Sequence, residues 1–277
     1  MAMTFLTRRR RVRWLHEPLP PRDVGTLHDS LGFYRSLTGE ERTRLGQFAR
    51  ILIREKNWEG CGGLVLSQEI KLIIAAQAAL LLIGMDLDPL RDRVFPNVRS
   101  ILVYPAGFVA PLPRLGAGGV ITEGHANLGE AHYNGLSGGP VIVSWRDALE
   151  GGLRADDGRN LVLHEFAHKL DFLDGVIDGT PPLDAGEDYT RWKHVMSAHH
   201  NDLVRRARAR APSVLNYYGA TNPAEFFAVA TEAYFERGDA MRQWLPELYV
   251  LLRGYYKQDT AARTAPPPEE SGVPGGP

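Results

Sequence analysis

Residues 160–174 read "NLVLHEFAHKLDFLD", and the fold of the chain turns on how this stretch is read. His164 and His168 stand four apart, with Glu165 directly after the first. Asn160 can cap a helix, and "DDG" shortly before it supplies a turn. With His164 at 0° and about 100° per residue, His168 falls at about 40°, Glu165 at about 100° and Asp171 at about 340°. Val162, Leu163, Phe166, Ala167, Leu170 and Leu173 fill the opposite arc, from about 160° to 300°. One face is therefore apolar, and the other carries two imidazoles and two carboxylates. A solvated face would more naturally carry Lys, Arg and Gln.

That arrangement suits zinc. Histidines at i and i+4 stand one turn apart and can both reach a single ion at ~2.0–2.1 Å. The intervening Glu165 points beside the open position of the ion, where it can take a proton from bound water. Asp171 lies one turn beyond His168 and can accept the N–H of a ligand imidazole, fixing its tautomer.

A catalytic zinc needs a third protein ligand. Asp174 is one candidate, but it falls on the core side of a continuing helix, and Asp171 stands where such proteases have a helix-breaking Gly. His199 and His200, in "SAHHNDLVRRARARA", sit in what reads as a solvated basic helix. Glu225, in "YYGATNPAEFFAVATEAYFE", is the third candidate. Yet Asn222, Pro223 and Glu225 also read as the N-cap, N1 and N3 of a capping box. Glu232 and Glu236 share its face, as an exposed acidic stripe would. Spacing alone leaves these alternatives open.

The rest of the chain narrows the setting. Its 277 residues suffice for a substantial core, and 44% hydrophobic with 23% charged residues is ordinary for a globular protein. A net charge of −1 provides no global field for nucleic acid or an anionic membrane. The one dense basic block, "RRRRVR" at residues 8–13, reads as a solvated arm. No signal peptide is evident. The run "LIIAAQAALLLIGM" at residues 72–85 is too short to span a bilayer and is interrupted by Gln77, so it reads as a buried helix. Cys61 is the single cysteine, which excludes a disulfide framework and a thiolate metal site. These absences point to the cytoplasm.

Helical patterns are expected over about residues 31–53 and 67–84, with "NWEGCGG" between them as a turn. "RSILVYPAGFV" and "GPVIVSW" read as strands, separated by a loop rich in Gly and His. A long helix is expected over about residues 189–211, and another from near Pro223. Strands without regular alternation with helices argue for an α+β fold.

"HEFAHKLDFLDG", "DGTPPL" and "YYGATNPAEFFAV" together resemble the Mlc titration factor A family of bacterial zinc metallopeptidases. "WEGCGGLVLSQEIKLIIAAQAALLL", "ILVYPAGFV", "GPVIVSW" and "YYKQD" are similar to further family segments, so the resemblance covers about residues 58–259. The family's catalytic core is similar to that of anthrax lethal factor. The resemblance implies that His164 and His168 bind zinc, that Glu165 is the general base and that Glu225 is the third ligand. It makes Tyr218 the donor to the tetrahedral oxyanion, and it implies aminopeptidase-like cleavage of short peptides. Enteric members bind the glucose-responsive transcriptional repressor Mlc. The loops at residues 172–183 and 116–139 depart from the enteric pattern, and His125 is the candidate counterpart of an enteric loop histidine.

The expectation is thus a gluzincin-like α+β metallopeptidase with one zinc, a small mixed sheet, an active-site helix and a further helix carrying the third ligand. Its parts would be an arm over residues 1–20, one catalytic domain over 21–259 and a disordered tail over 260–277. Its partners would be a peptide or protein substrate and a repressor of the Mlc type, without nucleic acid or membrane. The rival is a repressor-titrating binding protein whose zinc is mainly structural.

Overall fold

The computed structural model describes residues 5–106, 110–115, 121–126, 139–154, 156–186 and 188–264, with the side chains of residues 5, 6, 110–115, 121–126 and 264 left aside. The described strands are β1 (Asn57–Gly60), β2 (Ser100–Tyr104), β3 (Ala110–Leu115), β4 (Ile121–Ala126) and β5 (Val141–Ser144). β1, β2 and β5 form a parallel sheet in that order, and β3 pairs antiparallel with β4. Helices make up most of the remaining described chain, and the helices Trp145–Leu153 and Leu161–Asp171 pack on β5, giving the expected α+β class. In β2, Ile101 and Val103 point into the core while their neighbours are partly exposed, the period-2 alternation of a strand. β5 pairs on one side only among the described residues, so it is an edge.

The helices are α1 (Phe5–Leu15), α2 (Pro21–Ser30), α3 (Gly39–Glu55), α4 (Gln68–Leu80), α5 (Trp145–Leu153), α6 (Leu161–Asp171), α7 (Tyr189–Ala209), α8 (Pro223–Glu236), α9 (Gly238–Trp244), α10 (Pro246–Tyr256) and α11 (Ala261–Thr264). Local chemistry sets their starts. Thr38 and Glu41 close a reciprocal capping box on α3, so the pattern expected over residues 31–53 is broken there. Ser67 caps α4, Asn160 caps α6, Asp188 caps α7, and Asn222 with Pro223 starts α8.

α4 is the centre of the fold. From Leu72 to Leu80 every residue is buried, because α2, α3, α5 and α6 all pack on it. This is the buried helix anticipated from the apolar run, and among the described residues no helix is long and apolar enough to cross a membrane. α6 packs between β5, α4 and α8, and Phe166 meets Phe95 edge-on with ring centroids 4.7 Å apart.

Three expectations need correction. "NWEGCGG" is not all turn: Asn57–Gly60 is a strand, and the turn begins at Gly62, whose φ is +59°. Residues 1–20 are not simply an arm, since Phe5–Leu15 is helical. Arg11, 1% exposed, forms a two-pronged pair with Glu55 at 2.7 Å and donates to the carbonyls of Pro89 and Asp92. The basic run hid this because one arginine of the block faces inward. The tail boundary moves too. Thr260 and Ala261 are buried, the Ala261 N–H donates to the Tyr249 hydroxyl, and Arg263 bonds Glu41. Residues 265–277 lie outside the described residues.

Arg11→Met should therefore destabilise the protein. It removes four hydrogen bonds from a guanidinium that a surface arm would not need, at about 2–4 kcal/mol, discounted because Glu55 keeps some solvent. For a chain of this size that means a melting temperature lower by roughly 5–15 °C, at about 2–4 °C per kcal/mol. An unchanged melt in differential scanning fluorimetry would return residues 5–15 to the status of an arm.

Candidate metal centre

α6 is amphipathic only in its chemistry, because Val162 to Asp171 are all buried. Its apolar side packs on the core, and its polar side meets α8. The Nε2 atoms of His164 and His168 lie 3.2 Å apart. Oε2 of Glu225 lies 3.0 Å from the first and 3.4 Å from the second. Three donors placed tetrahedrally at ~2.0–2.1 Å around one zinc ion would be about 3.3–3.4 Å apart. The cluster, at 3.0, 3.2 and 3.4 Å, is close to these spacings, and two imidazoles with one carboxylate form a donor set that zinc accepts. The residues fit the ion.

Electrostatics agree with the geometry. Burial would raise the Glu225 pKa, but hydrogen bonds to His164 and His168 outweigh it and hold the carboxyl at about 2. Burial works against charge on His164, yet Glu225 and Glu232 raise it to about 10. Both groups are built to have opposite charge beside them.

Glu225 takes part in both a helix cap and the cluster. Asn222 Oδ1 accepts the Glu225 N–H at 2.9 Å, so the cap exists. The Glu225 side chain turns to the histidines, so the backbone serves the helix and the carboxylate serves the cluster. Asp174 is exposed and accepts the Val176 N–H. His199 faces a groove beside Trp244, and His200 packs on Phe226. Neither joins the cluster.

Glu165 is 1% exposed on the same helix turn. Tyr218, in a 3-10 turn at Tyr217–Ala220, has its ring 5.9 Å from that of His164 and remains 36% exposed. Asp171 is buried, and its Oδ2 accepts the Gly179 N–H at 2.9 Å. Burial raises its pKa to about 7. It thereby ties the loop after α6, whose Gly179 carbonyl also accepts from Trp192 Nε1. His125 lies on β4 opposite Pro111, and its side chain is outside the described residues.

An exposed acidic stripe was one alternative that spacing left open for α8. Glu232 and Glu236 are buried, not exposed, at 7% and 4%. Glu232 Oε1 accepts from His164 Nδ1 at 2.8 Å, and its Oε2 accepts the Asn160 N–H at 2.6 Å. Glu236 Oε2 accepts the Arg159 N–H at 2.8 Å. Burial first, with Glu232 nearby, pushes Glu236 up to about 9. Periodicity placed both residues on the Glu225 face; the missing signal was that α6 covers that face.

Known proteins place nearly the whole chain in a family. The family profile of the glucose-regulated metallo-peptidase M90 covers residues 5–257, and the chain belongs to that family. An uncharacterized protein of Synechocystis is 36% identical over 239 residues, 86% of this chain and 84% of its own length. The Mlc titration factor A proteins of Yersinia pestis and Yersinia pseudotuberculosis are each 27% identical over 280 residues, 94% of this chain and 98% of theirs.

Glu236 provides a test of the buried acidic pair that needs no metal. Its folded pKa, about 9, lies above the ordinary carboxyl value near 4.5, so the folded chain holds a proton that the unfolded chain loses. Stability from this group is full below the unfolded value and falls as pH rises toward the folded one. Glu236→Gln should therefore melt above the parent at pH 8, with the gap closing at pH 5. A gap independent of pH would contradict the burial of a neutral carboxyl.

Proposed function

We propose that the protein is a zinc-dependent peptidase of the gluzincin type. The observation that carries this is the triangle of His164 Nε2, His168 Nε2 and Glu225 Oε2, with Glu165 on the same buried helix. Three protein donors, the number found among the described residues, is the count used by catalytic zinc sites. When bound there, zinc would act as a Lewis acid toward water and the scissile carbonyl. Glu165 takes a proton from the attacking water on its carboxylate and delivers it to the leaving amine. The Tyr218 hydroxyl donates a hydrogen bond to the oxygen that becomes negative. β5, an edge next to α6, offers backbone groups to an extended peptide.

Short peptides cleaved from the amino end are the substrate class favoured by the family resemblance. The Mlc titration factor A relatives, by their name, support a further role in titrating a repressor. The proposed unit is one catalytic domain working in the cytoplasm, consistent with Cys61 as the single cysteine.

Purified protein is expected to carry about one zinc per chain by elemental analysis, and chelation should abolish cleavage of aminoacyl p-nitroanilides and quenched fluorescent peptides. Glu165→Gln should keep the zinc and lose about 10²–10⁴-fold in turnover. Glu225→Gln should lose both zinc and activity, while Tyr218→Phe lowers turnover and retains the metal. Full activity in chelator-treated, metal-free protein would end this reading. Zinc bound tightly without any peptidase activity would favour the rival, a repressor-titrating protein with a structural ion.

A further inference from the structure

A buried polar chain connects the metal cluster to the middle of the apolar helix α4. Gln77, 0% exposed, is the polar residue that interrupts the apolar run. Its Nε2 donates to the Ala148 carbonyl at 3.0 Å and to the Ile73 carbonyl at 3.3 Å. Its Oε1 accepts from Asn160 Nδ2 at 2.9 Å. That bond fixes which way the Asn160 amide faces, leaving Oδ1 to accept the Leu163 N–H at 3.0 Å and cap α6. The Asn160 backbone N–H then donates to Glu232, whose other oxygen holds His164.

We infer that Glu232 is the positioning residue for His164, and that Gln77 acts on the cluster through Asn160 and Glu232. This rests on the zinc reading above. The geometry gives the reason. A carboxyl oxygen at Nδ1 holds the hydrogen there, so Nε2, which faces His168 and Glu225, is the nitrogen that would give up its proton and offer its lone pair to a metal. The second oxygen of Glu232 is held by the capping residue of the same helix. One side chain of α8 therefore grips both the first turn of α6 and its first metal-binding imidazole. Ring rotation and any slip of the helix start are blocked together.

Glu236 supplies the control. It lies one turn further along α8, is equally buried, and bonds the Arg159 N–H and the Asn160 side chain but not His164. If burial of acidic groups in α8 mattered only for folding, changes at Glu232 and Glu236 would act alike. If Glu232 positions His164, they separate.

The experiment is zinc affinity of the full chain, by competition with a chromogenic chelator, together with the visible absorption of the cobalt(II)-substituted protein. Glu232→Gln keeps the size of the side chain but sets an amide N–H against either the His164 Nδ1–H or the Asn160 N–H. Zinc affinity should fall by about 10–100-fold, and the cobalt spectrum should change. Gln77→Met preserves volume and loses the Asn160 bond; affinity should fall in the same direction by less, with the fold retained by circular dichroism. Glu236→Gln should leave both readouts at the parent values. Parent-like affinity and spectrum in Glu232→Gln, or equal loss in Glu232→Gln and Glu236→Gln, would overturn the inference. A parent chain that binds no zinc would instead remove the metal reading beneath it. Should Glu232→Ala or Glu232→Gln fail to fold, Gln77→Met decides alone, and unchanged affinity there overturns the link to α4.

Discussion

Three electron-rich atoms crowded into a buried space set the terms for this fold. Two imidazole nitrogens 3.2 Å apart, with a carboxylate oxygen beside both, repel one another unless positive charge is shared among them. Holding them there requires α6 and α8 to face each other at short range. It also requires both helices to start at defined points, since a slip of one residue turns each side chain by about 100°. Asn160, Asn222 and Pro223 fix those starts, and α4 supports α6 from behind. Much of the packing can be understood as the means by which one triangle of atoms is kept from relaxing.

The same requirement explains the polar groups in the core. Gln77, Asn160, Glu232 and Glu236 would each weaken a purely hydrophobic interior. Here each has hydrogen-bond partners, and the bonds run between helices that are far apart in sequence. Directional bonds of this kind specify one arrangement of helices, while an apolar core tolerates several. The fold gives up some burial energy for a defined geometry.

What could be read from the sequence followed from local rules. The two histidines, the cap at Asn160, the buried α4 and the start of α8 all depend on neighbours within a few residues, and each is found as expected. Glu225 read as a capping residue or a candidate ligand, and only the fold shows its N–H on Asn222 and its carboxylate against the two histidines. The rest depended on partners remote in the chain. Gln77 was conspicuous, but its partner Asn160 lies 83 residues away. Arg11 looked like any arginine of its run, because its burial is decided by Glu55. Spacing placed Glu232 and Glu236 on the face of Glu225 but left open whether that face is wet or buried. Periodicity gives an angle around a helix; it does not say what stands opposite.

Gly179 divides the loop after α6 into two unequal parts. Its φ is +79°, and a Cβ there would come within 2.4 Å of the Pro223 carbonyl oxygen, at the first residue of α8. Asp171 and Trp192 hold its backbone from two other sides. Before it, Leu173, Asp174, Gly175, Val176 and Asp178 are all exposed. Chain length and composition are therefore free to drift over residues 173–178, where additions would extend into solvent. At Gly179 that freedom stops, since a bulkier residue would push on the end of α8 that carries Glu225. The loop thus joins a stretch open to change to a point where only glycine fits both the φ and the space.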